Sequence, residues 1–364
     1  MEIKLRLAAL LLAAPLAGPR HVAAQDFRLF SARVPASHFF FDGKDETGFR
    51  IVDSAHSGPW IAEDRFSLRV GVGSPGAPQE RFPRPPFSRP EAPRLVTPPA
   101  GLVTGGVLVL ASIDSTSAGW IHGFNGFHFH REHFFGPDTY AGGADKCSHF
   151  IISASLAREL ALLYDQLGHT PRESTALAFG VTALSGLILE AGDSFSPYGF
   201  SSEDLAADVL GTATGLYLTR KGLNDLIGLR VGKVPGIDES ESTENLGVGY
   251  SNEIYSADLK LAGLASRLHI QPGVARFLLA SITYNTKGYG HVPPLPYRTR
   301  NVGVELGVNF PEILSAVGVP ETTWWGSLLY KALNFFRVPF TSFGFRYDIN
   351  HGKWLGPDTG NKFR

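Results

Sequence analysis

The spacing of apolar positions changes once along this chain. Between about residues 100 and 222 they recur at helical intervals, and from about 223 to 364 they alternate in steps of two. Leu102 to Ser112 is a short apolar run that reads as a buried helix. A second helix is predicted from near Asp145 to about Leu167. A third opens at Thr170-Pro171-Arg172-Glu173, with a capping threonine, a proline at the first helical position and a glutamate at the capping-box position, and runs to Glu190. A fourth opens at Ser201, with Asp204 again at the capping-box position, and runs to about Leu218. Gly211 and Gly215 fall four apart on it, a spacing that lets another backbone approach closely. The last three helices each carry charge and lack 18 uninterrupted apolar residues. They predict a packed bundle, with a membrane-embedded bundle around a polar interior as the alternative.

The tail has the other period. Leu278, Ala280, Ile282 and Tyr284 alternate with polar residues, as do Val302, Val304, Leu306, Val308 and Phe310, and then Phe343, Phe345, Tyr347 and Ile349; residues 246–262 are similar but less regular. Period two with one apolar face predicts half-buried antiparallel strands, and outer-membrane strands share that pattern. Four or five strands fall short of the roughly eight in the smallest closed barrels. The expectation is therefore a sheet packed on the helices, with membrane contact of its apolar face left open. The fold class is α+β: a bundle of three or four helices with a C-terminal antiparallel sheet of about four or five strands.

The N-terminal third is organised differently. Residues 1–24 combine a basic start, an apolar run from Leu7 to Ala17 and Val22-Ala23-Ala24, which predicts a cleavable secretory signal peptide. The run is shorter than the roughly 20 apolar residues of a membrane span, and no cysteine stands at the cleavage site for lipid attachment. Residues 25–73 form an aromatic segment in which Phe66–Val72 alternates like a strand. Residues 74–99 hold nine prolines and predict a linker or long surface loop.

Composition narrows the function classes. The net charge of −1 leaves no electrostatic footprint for nucleic acid. A single cysteine, Cys147, excludes an intramolecular disulfide, so an exported chain must rely on burial for stability. There is no Gly-rich phosphate loop, no nucleophile elbow and no His-Glu-x-x-His, and no cofactor is indicated. The reading is an exported protein, periplasmic or outer-membrane associated, of open oligomeric state.

The chemistry-bearing residues gather in the helices. Asp145 and His149 are four apart on one helical face, and Lys146 is three from His149. Glu190 ends the next helix, with Asp193 just beyond, and Asp204 and Asp208 stand one turn apart on the fourth. Packing of these helices would let several carboxylates converge on Lys146 and His149. Four readings stay open: an ionic network fixing helix register, a head-group or small-ligand site, acid–base catalysis by His149 with Glu190 or Asp193, and a metal site of one imidazole and several carboxylates. His128, His130 and His133 read as part of an aromatic, partly exposed segment, with zinc or copper binding as the alternative. Cys147 reads as a small buried apolar residue.

Asp-Lys-x-x-His-Phe at 145–150, the glutamate ending the next helix, and Asp193-x-x-Ser-x-x-Gly-Phe-Ser-x-x-Asp-Leu205 with its following Gly-x-x-x-Gly helix resemble the YfiM-like family of predicted periplasmic lipoproteins, a domain of unknown function. Phe127–His130 and Tyr250–Tyr255 extend the resemblance over roughly residues 120–350, and the order of acidic and basic residues is distantly similar to VanZ-like membrane proteins. The resemblance implies Asp145, Lys146, His149, Glu190, Asp193, Ser201 and Asp204 as signature positions. The chain departs from it in lacking a lipobox cysteine and in carrying Asp208 where an asparagine is more familiar. The expected function is that of a non-enzymatic cell-envelope protein at or against a membrane, with a lipid-like or cell-wall component as ligand; the alternative is an envelope hydrolase using His149 with Glu190 or Asp193.

Overall fold

The computed structural model describes residues 49–51, 68–70, 98–139, 141–233, 250, 253–289 and 297–358. The expected signal peptide and most of the proline-rich segment lie outside the described residues. The chain divides into two compact units, Pro19–Glu91 and the remainder. In the smaller unit, β1 (Phe49–Ile51) pairs antiparallel with β2 (Leu68–Val70), within the segment whose alternation suggested a strand.

The larger unit begins with four helices: α1 (Pro98–His122), α2 (Ala144–Gln166), α3 (Pro171–Asp193) and α4 (Ser202–Arg220). Small and aliphatic residues from all four, among them Ala100, Val107, Leu160, Ala178, Val181 and Leu216, share one core. Thr170 and Glu173 form the expected reciprocal capping box at α3, with Pro171 in the first turn. At α4 only half of the expected box forms. Ser201 accepts from the Asp204 amide, but the Ser201 amide donates to Glu190 at 2.9 Å, and the Asp204 carboxylate turns elsewhere. Gly211 and Gly215 do what their spacing predicts. A Cβ on either would stand 2.2 Å from the carbonyl oxygen of Phe150 or 2.0 Å from that of Ala154, so α2 and α4 meet backbone to backbone.

α1 departs from expectation. It is 25 residues long, and only one stripe of it is buried; Leu102, Val109, Ile113 and Trp120 stand exposed. Two helical segments, Pro99–Ile121 and Pro171–Asp193, are long and apolar enough to cross a membrane, a test that core helices of soluble proteins also pass. Three shorter helices follow in the C-terminal part, α5 (Leu261–Arg267), α6 (Phe310–Ala316) and α7 (Trp324–Phe335), making seven among the described residues.

The C-terminal part is one antiparallel sheet of six strands in chain order: β3 (Ile227–Lys233), β4 (Glu253–Lys260), β5 (Leu278–Lys287), β6 (Thr299–Val308), β7 (Ser342–Asp348) and β8 (Lys353–Asp358). The α+β class and the helix-then-sheet order are as expected, with β3 and β8 added to the strands that alternation marks. At its β3–β4 end the apolar face packs on α2, where Val231 and Tyr255 meet Ala144, Phe150 and Ile151.

Beyond that end the sheet reverses the usual order of burial. The registered rows Ile282–Val304–Phe345 and Leu306–Phe343 face outward, each of these residues more than half exposed. The intervening rows are buried and polar: Ser281, Thr283, Asn285, Asn301, Glu305, Arg346 and Asp348. Charge pairs fill this inner face. Arg230 Nε donates to Asp258 at 2.5 Å, and Glu305 takes Arg346 at 3.2 Å and also the guanidinium of Arg337.

Arg337 fixes the curvature. Its amide donates to Val231 on β3 at 2.8 Å, yet its side chain reaches Glu305 on β6 and Ser342 at the start of β7. In a flat sheet β3 and β6 are three strand spacings apart, about 14 Å. The sheet therefore curls, polar side concave and apolar side convex.

Candidate functional site

The helical bundle holds the predicted charge cluster at the end where α2 begins. Left-handed Gly143 (φ 88°) precedes α2 and aims its first turn inward. Lys146 is 2% exposed. Its ammonium donates to Asp145 at 2.8 Å, pairs with Asp204 at 2.9 Å, and also binds Glu132. One turn on, His149 Nδ1 stands 3.1 Å from Asp208 Oδ2, and Nε2 stands 3.7 Å from Asp204. Ser153 Oγ donates to Asp208 Oδ1 at 2.6 Å. Gly186 makes room for this carboxylate, since a Cβ there would stand 2.6 Å from Asp208 Oδ2.

The structure thus gathers Asp145, Lys146, His149, Glu190, Ser201, Asp204 and Asp208, all buried. Asp193 is placed differently. It ends α3 half-buried, and its backbone carbonyl accepts from the Ser196 and Gly199 amides in the turn toward α4. Glu132, absent from the sequence-derived cluster, belongs to it. It comes from the irregular segment before α2, between exposed Arg131 and His133, and alone of the three turns inward. His130 and His133 are exposed and His128 is half-buried; the segment is held to the α3–α4 turn by the Phe129–Phe200 bridge. Cys147 packs at the α2–sheet interface, and burial followed by the Asp145 charge pushes its thiol up to about 12, which leaves it an unreactive thiol.

Two trios result, the carboxyl groups of Glu132, Asp145 and Asp204 around the Lys146 ammonium, and the carboxyl groups of Glu190 and Asp208 with the His149 imidazole. Burial, a hydrogen bond to Asp145 and the charges of Asp204 and Asp145 push Glu132 from 4.5 up to about 9. Burial alone would weaken Lys146 as a base, but Asp204, Asp145 and Glu132 outweigh it and hold the ammonium above the usual lysine range. In the first trio the Glu132 proton is thus held well above the usual carboxyl range, beside a lysine held as the ammonium.

Glu132 makes stability pH-dependent in a defined direction. Between pH 4.5 and 9 the folded chain keeps a proton that the unfolded chain has lost, so stability from this group is complete at low pH and declines as pH rises through that window. Glu132→Gln keeps the shape and stays neutral. It is expected to flatten this part of the profile and to stabilise the protein most near the upper end, as read from urea midpoints across the window. Parallel profiles for the two proteins would refute the assignment.

The ion network is buried inside the four-helix cluster, beside a sheet whose apolar rows face outward. Residues 131–220 match the family model of a predicted periplasmic lipoprotein (DUF2279). The match spans Glu132 through α4, and so the whole charge cluster. It is narrower than the expected residues 120–350, and similarity to VanZ-like membrane proteins is not shown by it. The family's periplasmic description agrees with export, and the chain fits an envelope protein of unknown role. No curated protein and no solved structure matches this chain.

Proposed function

We propose that this is a non-enzymatic cell-envelope protein whose curled sheet lies with its convex face against lipid acyl chains, anchored on a helical scaffold that the buried ion network holds in register. The observation carrying this reading is the reversed burial of β5–β7, where the apolar rows face out and the paired polar rows face in. Contiguous apolar patches of this kind are rare on soluble monomers, and a polar interior under an apolar outer surface is how membrane strands are built. β5 and β6 are ten residues each, within the roughly 9–11 that cross a hydrocarbon core when tilted. Trp354 and Tyr347, stacked edge to face at one end of the patch, supply amphipathic side chains of the type that favour a membrane interface.

The hydrolase alternative is not favoured, because the cavity beside His149, about 30 Å³, has room for little more than a water molecule. The membrane reading is tested on the full-length protein. After cell breakage it is expected in the membrane pellet, resistant to an alkaline carbonate wash, and it should co-float with phospholipid vesicles once purified. Quantitative release by osmotic shock as a protein that does not float would overturn the proposal.

A further inference from the structure

We propose that His149, Glu190 and Asp208 bind one divalent first-row metal ion. The three residues are buried, and one ligand atom from each lies within 4.8 Å of the others. His149 Nδ1 and Asp208 Oδ2 are 3.1 Å apart. Two ligands each about 2.0–2.2 Å from one metal, at angles from square to tetrahedral, stand roughly 3.0–3.5 Å apart. The surroundings orient these groups as a metal's outer shell does. Ser153 Oγ donates to Asp208 Oδ1 at 2.6 Å, the Ser201 amide donates to Glu190 Oε2 at 2.9 Å, and Asp204 stands behind the imidazole at 3.7 Å.

An independent observation points to a bound group. The 30 Å³ cavity beside His149 and Asp208 is also lined by Thr182. Thr182 is 1% exposed, and its hydroxyl has no hydrogen-bond partner among the described residues. A buried hydroxyl without a partner is costly. A water held on the metal fits a cavity of this size and would supply the partner, so the metal has three protein ligands and one solvent position. A nitrogen and oxygen donor set suits zinc, manganese or iron(II).

The inference stands apart from the membrane reading, and its test needs only purified full-length protein in detergent. After treatment with a chelator, zinc chloride is titrated by calorimetry and bound zinc is counted by mass spectrometry. The expected result is one zinc per chain. Affinity should fall by at least about 100-fold in Glu190→Gln and Asp208→Asn, by about 10-fold in Ser153→Ala, and be unchanged in His130→Ala. Failure of the wild-type protein to bind zinc overturns the proposal, and so does one zinc retained in folded Glu190→Gln or Asp208→Asn. Where those variants do not fold, X-ray absorption of the zinc-loaded wild type decides. A shell of one imidazole with carboxylate and water oxygens supports the site; two or more imidazoles, as the exposed histidines would supply, overturn it.

Discussion

Lys146→Met is expected to cost about 3–5 kcal/mol of folding stability, the range for breaking a buried ion pair by removing one partner. Methionine fills much of the space and keeps the helix, so the loss reports the charge. In the wild type the ammonium pairs with Asp145 and Asp204 and also binds Glu132, at 2% exposure. Without it, Asp145 and Asp204 remain buried and close together but lose the ammonium that both contact. They are left to take up protons or to open the α2–α4 contact, where Gly211 and Gly215 hold the two backbones together. The cost should shrink as pH falls, because protonated carboxylates need no counter-charge. Adding Asp204→Asn to Lys146→Met should recover part of the loss. Urea midpoints of the single and double variants at several pH values measure both effects. A loss below about 1 kcal/mol, the scale of an exposed pair, would mean that the network contributes little to holding the bundle.

Much of the helical half was legible in the sequence because its signals are local. The capping box at Thr170, the proline at 171 and the Gly211–Gly215 pair each act within one or two turns, and the structure uses them as the spacing implied. Asp145 and His149 share a face because four residues make about one helical turn. Their partners could not be read in the same way. Lys146 turns to Glu132, which sits beside His133 and Phe134 in left-handed backbone, where no period exists to mark it. Ser201 and Asp204 carry a capping-box spacing, yet the Ser201 amide goes to Glu190 and Asp204 goes to Lys146, because tertiary partners outcompeted the local one. β8 escaped because Gly356 and Pro357 break the alternation, whereas β3 does alternate, Ile227, Leu229 and Val231 against Gly228, Arg230 and Gly232, but is only seven residues long and directly follows the helices.

The sheet shows what alternation cannot decide. Period two says that Ile282, Val304 and Phe345 share one side and that Ser281, Glu305 and Arg346 share the other. It does not say which side is buried. Water as the default solvent assigns the apolar side inward, and that assignment holds only where Val231 and Tyr255 meet α2. Elsewhere the buried ion pairs decide. Glu305 binds both Arg337 and Arg346, and no rotation of β6 exposes Glu305 to water without separating them.

This makes a single lysine on the convex face the sharpest probe of the surrounding solvent. Val304 is 64% exposed, flanked across the strands by Ile282 and Phe345. On a surface facing water, Val304→Lys would change stability by no more than about 0.5 kcal/mol, the usual scale for exposed substitutions. Against acyl chains it is expected to cost about 2–4 kcal/mol, depending on depth. That corresponds to a loss of membrane partitioning of roughly 30-fold or more, read by vesicle flotation of the purified protein. Val304→Ile should float as the wild type does. Val317→Lys is the matched control, because Val317 is 69% exposed but lies in the turn after α6, off the sheet. If V304K and V317K float equally well, lipid is not what the convex face meets. If only V304K is lost from the vesicles while its helical circular dichroism is kept, the outward apolar rows of β5–β7 hold the chain at the membrane, and the inward row of Glu305 and Arg346 is the polar lining that lets them face outward.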